Sequence, residues 1–227
     1  MGSTPGAVEG SGRERCQVHV TGVVQGVGFR PYVYALARSL GLSGAVWNSS
    51  AGVFCEVEGD RSAVAAFTER IGPEAPPLAV VSAVTWESQP VQGGLDFVIG
   101  DSVGEAGRTL VSPDVATCAD CLADLADPDN RRHRHAFVTC TNCGPRFTIV
   151  TGLPYDRPFT TMADFPMCPA CAAEYADPGD RRFHAQPVSC PECGPRLRLV
   201  GSADPAASDG EAVAAVQRLL REGAIVA

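Results

Sequence analysis

Nowhere in the 227 residues is there a run of the roughly 18 apolar positions that a membrane-spanning helix needs. The opening MGSTPGAVEGSGRERC also lacks the apolar stretch of a secretory leader. Aromatic residues are scarce, at 7% of the chain. Positive charge is short as well: 18 Lys plus Arg stand against 26 Asp plus Glu, a net charge of −8. A general grip on nucleic acid needs a basic face, which this balance does not supply. The expectation is a cytoplasmic chain without membrane contact and without nucleic acid as its partner. Hydrophobic residues make up 45%, an ordinary globular share, and the length allows about two domains.

Cysteine is what the chain has in quantity. Cys118-x2-Cys121-x18-Cys140-x2-Cys143 recurs as Cys168-x2-Cys171-x18-Cys190-x2-Cys193, displaced by 50 residues at every position. Fourteen of 29 aligned positions match, including Ala-Asp-Pro, Arg-Arg and a closing Cys-Gly-Pro-Arg. That is a duplicated unit. Two CxxC pairs separated by such a loop close a tetrahedral Zn–S4 shell. A cytosolic chain keeps its thiols reduced, which favours zinc over disulfides. Tandem ribbon-like copies also favour zinc over an iron–sulfur cluster. Four thiolates per copy leave no open coordination position, so two structural Zn²⁺ ions are expected and no catalytic one. Pairing within each copy is simplest, but Cys118 and Cys121 meeting Cys190 and Cys193 satisfies the same chemistry. His184 is redundant as a ligand. Cys16 and Cys55 lie outside the ruler and read as small core residues.

Punctuation divides the chain into a disordered start (1–14), a compact domain (15–101) and a connector (102–117). A first finger (118–149) follows, then a linker with the second finger (150–200) and a loose stretch with a last helix (201–227). The run Arg131-Arg132-His133-Arg134-His135 reads as a solvated loop with carboxylate partners. Glu211 to Glu222 reads as an amphipathic helix with Val213, Val216, Leu219 and Leu220 on one face. Ala224 to Ala227 reads as a strand-like run. The stripe and the run look like the opening of a further domain.

In the compact domain a valine-rich strand leads into Gln25-Gly26-Val27-Gly28-Phe29-Arg30, and Pro31 opens a helix that continues from Tyr32 to Leu40. Such a turn aims backbone N–H groups and the positive end of the helix dipole at one point, which suits phosphate. Arg30 adds a planar fork of donors. A hairpin follows, Ser43 to Asn48 and Gly52 to Glu58, then a helix from Arg61 to Ile71. Strands from Leu78 to Trp86 and Asp96 to Ile99 close the domain. This is an α+β order, the ferredoxin-like split βαβ plan. His19 and Trp47 read as packing residues.

Val20 to Val33 (VTGVVQGVGFRPYV) and Gly44 to Val53 (GAVWNSSAGV) resemble the acylphosphatase family. The resemblance implies that Gln25 to Arg30 bind phosphate, Arg30 holds the transferred group and Asn48 orients the attacking water. With the tandem C-x2-C-x18-C-x2-C units and Pro154 to Cys168 between them, the whole resembles the HypF-type carbamoyltransferases of [NiFe]-hydrogenase maturation. That resemblance implies carbamoyl phosphate as substrate, hydrolysed to carbamate and phosphate. It also implies downstream YrdC-like and transferase domains, ATP used only by the downstream YrdC-like domain, and HypE as the protein that receives the carbamoyl group. The last helix would then be the truncated start of the YrdC-like domain. Two competing readings stay open: a free acylphosphatase with an appended zinc-ribbon binding module, and a non-catalytic zinc-ribbon adaptor.

Overall fold

In the computed structural model the described residues are 12–103, 110–201 and 208–226. Period-2 burial builds the first strand, β1 (Arg13–Val23), in which Cys16, Val18 and Val20 face the core. Gln17 and His19 alternate to the other face. Helix α1 (Phe29–Ser39), strands β2 (Ser43–Ser49) and β3 (Gly52–Asp60), helix α2 (Arg61–Arg70) and strands β4 (Val80–Gln89) and β5 (Phe97–Ile99) follow. The sheet order is β4-β1-β3-β2-β5, antiparallel except for the β2–β5 pair. This is the expected split βαβ plan with a short fifth strand beside β2. Both helices pack on one face, over a core that includes Val18, Val53, Val57, Phe29 and Phe67.

Two boundaries differ from expectation. The start of the chain was expected to be disordered through residue 14, but β1 begins at Arg13. There Arg13 and Glu14 pair with Asp60 and Gly59, and Arg13 reaches Glu58 at 3.2 Å. Residues 1–11 lie outside the described ones. Helix α1 starts at Phe29 rather than at Pro31, because Gly28 at φ +75° already turns the chain into it. The connector is tied to the first domain. Val103 N donates to Asn48 O at 2.9 Å, and Gln25 and Val111 form a parallel bridge. Its residues 104–109 lie outside the described set.

Each finger is a cysteine turn, one short helix and a loop. Helices α3 (Ala119–Ala126) and α4 (Pro169–Ala176) begin directly after Cys118 and Cys168, with Pro169 in the first turn where its missing N–H costs nothing. One helical turn then brings the second cysteine of each CxxC beside the first. The buried clusters here consist mainly of the cysteines themselves with Val138, Ala185 and Val188. Units with so little core depend on metal for their fold.

The last helix, α5 (Asp209–Arg221), is capped by Ser208, whose Oγ accepts from Glu211 N at 3.3 Å. Leu197 N donates to Asp209 Oδ1 at 3.0 Å and ties the helix to the second finger. Along the expected stripe Val213 and Leu220 are exposed, while Val216 and Leu219 are half-buried. Residues 224–226 form no strand, in contrast to the expected strand-like run, since no sheet edge pairs with them. Residues 202–207 and 227 lie outside the described set. No described helix is long and apolar enough to cross a membrane.

Candidate functional site

The turn from Gln25 to Arg30 links β1 to α1. Gly26 and Gly28 both adopt positive φ, +73° and +75°. Alternating left-handed residues turn neighbouring N–H groups into one concavity, the geometry of an anion nest. Gly28 is constrained twice over, since a Cβ there would also lie 2.7 Å from Thr141 Cγ2 in the first finger. Gln25 is buried and fastens the turn to the β2–β3 hairpin, donating to Ser49 O at 2.7 Å and to Gly52 O at 3.1 Å. Asn48, on that hairpin, is therefore held in a fixed relation to the loop.

The structure brings Gln25, Gly26, Gly28, Phe29, Arg30 and Asn48 together around a cavity of about 30 Å³. Val27 instead points into the core and is fully buried. The opposite wall is not part of the first domain. Thr141, Arg146, Tyr155, His184, Gln186 and other residues of the fingers and their linker supply it.

Contacts across this seam are numerous. Tyr155 N donates to Gln25 Oε1 at 2.9 Å, and Asn48 Nδ2 donates to Tyr155 O at 3.4 Å. Arg146 Nε donates to Gly26 O, and its NH2 reaches Thr141 O at 2.9 Å. Arg30 forms an ion pair with Asp156 and donates to Ser102 Oγ at 3.4 Å. Asn48 Oδ1 is buried without a hydrogen-bond partner, and so is His184 Nδ1. Burial, and then the Arg30 cation, pull His184 down to about 4, so its ring is neutral at pH 7.

Sequence reasoning missed the finger half of this wall. Arg146 stood in plain view as the last residue of Cys-Gly-Pro-Arg, and Tyr155 and Asp156 in the linker, yet no local signal tied them to a loop 120 or more residues away. His19 lies on the open sheet face, stacked on Phe54 at 4.1 Å, and Trp47 stacks on the same ring at 6.1 Å. Cys16 and Cys55 are buried core residues, and burial pushes the Cys16 thiol up to about 11.

The eight finger cysteines form two clusters, each within one repeat. In the first, Cys118–Cys140, Cys140–Cys143 and Cys143–Cys121 sulfurs are 3.7, 3.7 and 3.6 Å apart. In the second, Cys168–Cys190, Cys190–Cys193 and Cys193–Cys171 give 3.7, 3.8 and 3.7 Å. A tetrahedron with Zn–S bonds of about 2.3 Å has edges of about 3.8 Å, so the donor sets fit zinc. These are two structural zinc sites, paired within each copy.

The Arg131–His135 run is only in part the solvated loop its charge suggested, with Arg131 and Arg134 exposed. It has a carboxylate partner, but Arg132 is 1% exposed and Arg182 is 5% exposed. Arg131 NH2 donates to Cys171 Sγ at 2.8 Å and Arg181 NH1 to Cys121 Sγ at 3.0 Å, each in the other finger. Arg132 Nε meets Ser189 O at 2.8 Å, and Arg182 Nε meets Thr139 O at 3.1 Å. Glu174 anchors Arg131 and Arg132, and Asp124 anchors Arg181 and Arg182. Burial would raise Glu174, but the two guanidiniums outweigh it and hold the carboxyl near 2. A Zn–S4 centre is formally −2; Arg131 and Arg132 both donate to Cys171 Sγ of the second centre, and Arg181 donates to Cys121 Sγ of the first.

Comparison with known proteins matches these parts separately and together. The acylphosphatase profile matches residues 16–99, and the HypF finger profile matches 117–150 and 167–200. Carbamoyltransferase HypF2 of Cupriavidus necator is 50% identical over 155 residues, covering 67% of this chain and 19% of its own length. An acylphosphatase of Thermotoga petrophila is 42% identical over 84 residues, 37% of this chain and 92% of its own. The crystal structure of full-length HypF in its phosphate- and nucleotide-bound form superposes with a TM-score of 0.85 at 42% identity. That match covers 93% of this chain and 28% of the other. The chain thus spans about a fifth of the length of the curated carbamoyltransferases it matches.

Proposed function

Because the chain belongs to the acylphosphatase family through residues 16–99 and joins that domain to two HypF fingers, we propose that it hydrolyses carbamoyl phosphate to carbamate and phosphate. The observation that carries the chemistry is the buried, unpartnered Asn48 Oδ1 beside the Gly26–Gly28 nest and Arg30. An acyl phosphate is already activated, so the site needs charge stabilisation and a positioned nucleophile more than a strong base. The nest amides and Arg30 bind the phosphoryl oxygens. Asn48 Oδ1 accepts one hydrogen of a water and aims its oxygen at phosphorus. The new P–O bond forms as the bond to the acyl oxygen breaks, and the electron pair leaves on carbamate. Both water hydrogens end on phosphate, so no protein group needs to change its charge.

The competing idea of an unrelated appended finger module is disfavoured by Arg146, which bonds the phosphate loop itself at Gly26 O. On this reading the chain works in the cytoplasm. ATP-dependent activation of carbamate by a YrdC-like domain, and delivery of the carbamoyl group to HypE, belong to further domains of a HypF-type protein.

Phosphate release from carbamoyl phosphate by the purified chain tests the proposal. Arg30→Ala should cost roughly a hundredfold or more, as loss of a key charge-stabilising donor does. Arg30→Lys should recover only part, because an ammonium lacks the fork. Turnover unchanged in Arg30→Ala would remove the assignment.

A further inference from the structure

Arg30 is held in place by a residue that the first domain does not contain. Asp156 lies in the linker between the fingers, 126 positions away, and one of its carboxylate oxygens pairs with Arg30 NH2. Its other oxygen accepts from the Ser102 hydroxyl, and Ser102 Oγ in turn accepts from Arg30 NH1 at 3.4 Å. Guanidinium, carboxylate and hydroxyl close a ring. Arg30 is 8% exposed and the Asp156 side chain 16%, so water competes little for these contacts.

The carboxylate is itself fixed from both sides. Tyr155, just before it, bonds Gln25 and Asn48. Arg157, just after it, donates to Gln186 O at 2.7 Å, Val188 O at 2.9 Å and Phe165 O at 2.6 Å, which anchors the linker in the second finger. Three consecutive residues therefore run from the loop glutamine and the hairpin asparagine, through Arg30, into a zinc module.

We propose that Asp156 is a positioning residue for the acyl-phosphate site, presetting the Arg30 guanidinium so that it meets the phosphoryl group without first being ordered. A guanidinium has five N–H donors, and the ring engages two of its nitrogens, so donors remain for phosphate oxygens. An arginine on the first turn of a helix otherwise samples many rotamers, and its ordering would be charged to each binding event. The inference rests on the reading that Arg30 binds the phosphoryl group. It adds that the segment linking the fingers sets the affinity of an arginine that lies in another domain.

The experiment compares Asp156→Asn, Asp156→Glu and Ser102→Ala with the parent in the full 227-residue chain. The readouts are carbamoyl-phosphate hydrolysis, inorganic-phosphate binding by calorimetry, and zinc content. Asp156→Asn should weaken phosphate binding about tenfold or more and raise KM by a similar factor, with a smaller fall in kcat. Two zincs should be retained. Asp156→Glu should recover part of the affinity, and Ser102→Ala should lose a few-fold. In an Arg30→Ala background, Asp156→Asn should add nothing. Phosphate binding as tight as the parent's, or tighter, in Asp156→Asn would overturn the proposal, the second outcome marking the carboxylate as a competitor. Should Asp156→Asn lose zinc, Ser102→Ala decides alone, since Ser102 touches no finger ligand. A parent chain that binds phosphate but releases none from carbamoyl phosphate would refute the hydrolase reading, while phosphate affinities still judge Asp156.

Discussion

The backbone N–H of Tyr155, in the interfinger linker, donates to the side-chain oxygen of Gln25, on the turn from β1 to α1, at 2.9 Å. Gln25 spends its amide group on Ser49 O and Gly52 O, so one buried side chain ties loop, hairpin and linker together. Gln25→Ala removes all three of these hydrogen bonds at once. The expected loss is about 2–4 kcal/mol, at roughly 1 kcal/mol for each hydrogen bond removed. Denaturant unfolding that shows a loss below about 1 kcal/mol would contradict this role for Gln25.

Asn48 is expected to act on turnover rather than on affinity. Asn48→Ala should lower kcat about ten- to a hundredfold through misplaced water, while inhibition by inorganic phosphate stays close to the parent's. A variant that kept kcat and lost phosphate affinity would reassign Asn48 to phosphate binding.

Elemental analysis should find two zinc ions per chain. Exchange of arginine donors between the fingers makes a more particular expectation. Arg131→Ala with Arg132→Ala should hasten metal release from the Cys168 cluster, and Arg181→Ala with Arg182→Ala should hasten it from the Cys118 cluster. A chromophoric chelator should record one fast and one slow zinc in each double variant. Two unchanged rates would show that the sulfur contacts carry no weight in metal retention.

Acid should weaken the fold through two buried histidines. Burial, reinforced by neighbouring arginines, lowers His184 and His135 to about 4 from the ordinary 6.5. Between those values the unfolded chain binds protons that the folded chain refuses, so stability falls as pH drops below about 6.5 and the loss is complete near 4. His184→Gln and His135→Gln should flatten that part of the melting-temperature profile. Equal slopes in parent and variants between pH 7 and pH 5 would dismiss the histidines as its source.

What could be read from the sequence was whatever local spacing encodes. Gly26, Gly28 and Arg30 announce a nest because three positions within one turn must cooperate, and the 50-residue ruler announces two metal sites for the same reason. The order of strands and helices followed from period and punctuation. Cysteine pairing stayed open, because within-copy and crossed sets have identical chemistry, and only the chain path decides between them. Asp156 and Arg146 stayed mute for a different reason. An aspartate in Pro-Tyr-Asp-Arg-Pro has no signature that names an arginine 126 residues earlier. The Arg131–His135 run was legible in part: its carboxylate partner fits the charge pattern, but nothing local tells that a neighbouring module buries Arg132 and His135.

The contact between the fingers is isologous within a single chain: position n of one meets position m of the other, and m of the first meets n of the second. Each finger therefore presents both halves of one self-complementary surface, an arginine pair and a sulfur-and-carboxylate socket. Either unit, released from its twin and loaded with zinc, carries what a two-fold homodimer requires. Two copies on one chain stand in the relation that separate chains reach by dimerising, and tethering raises the local concentration of each for the other.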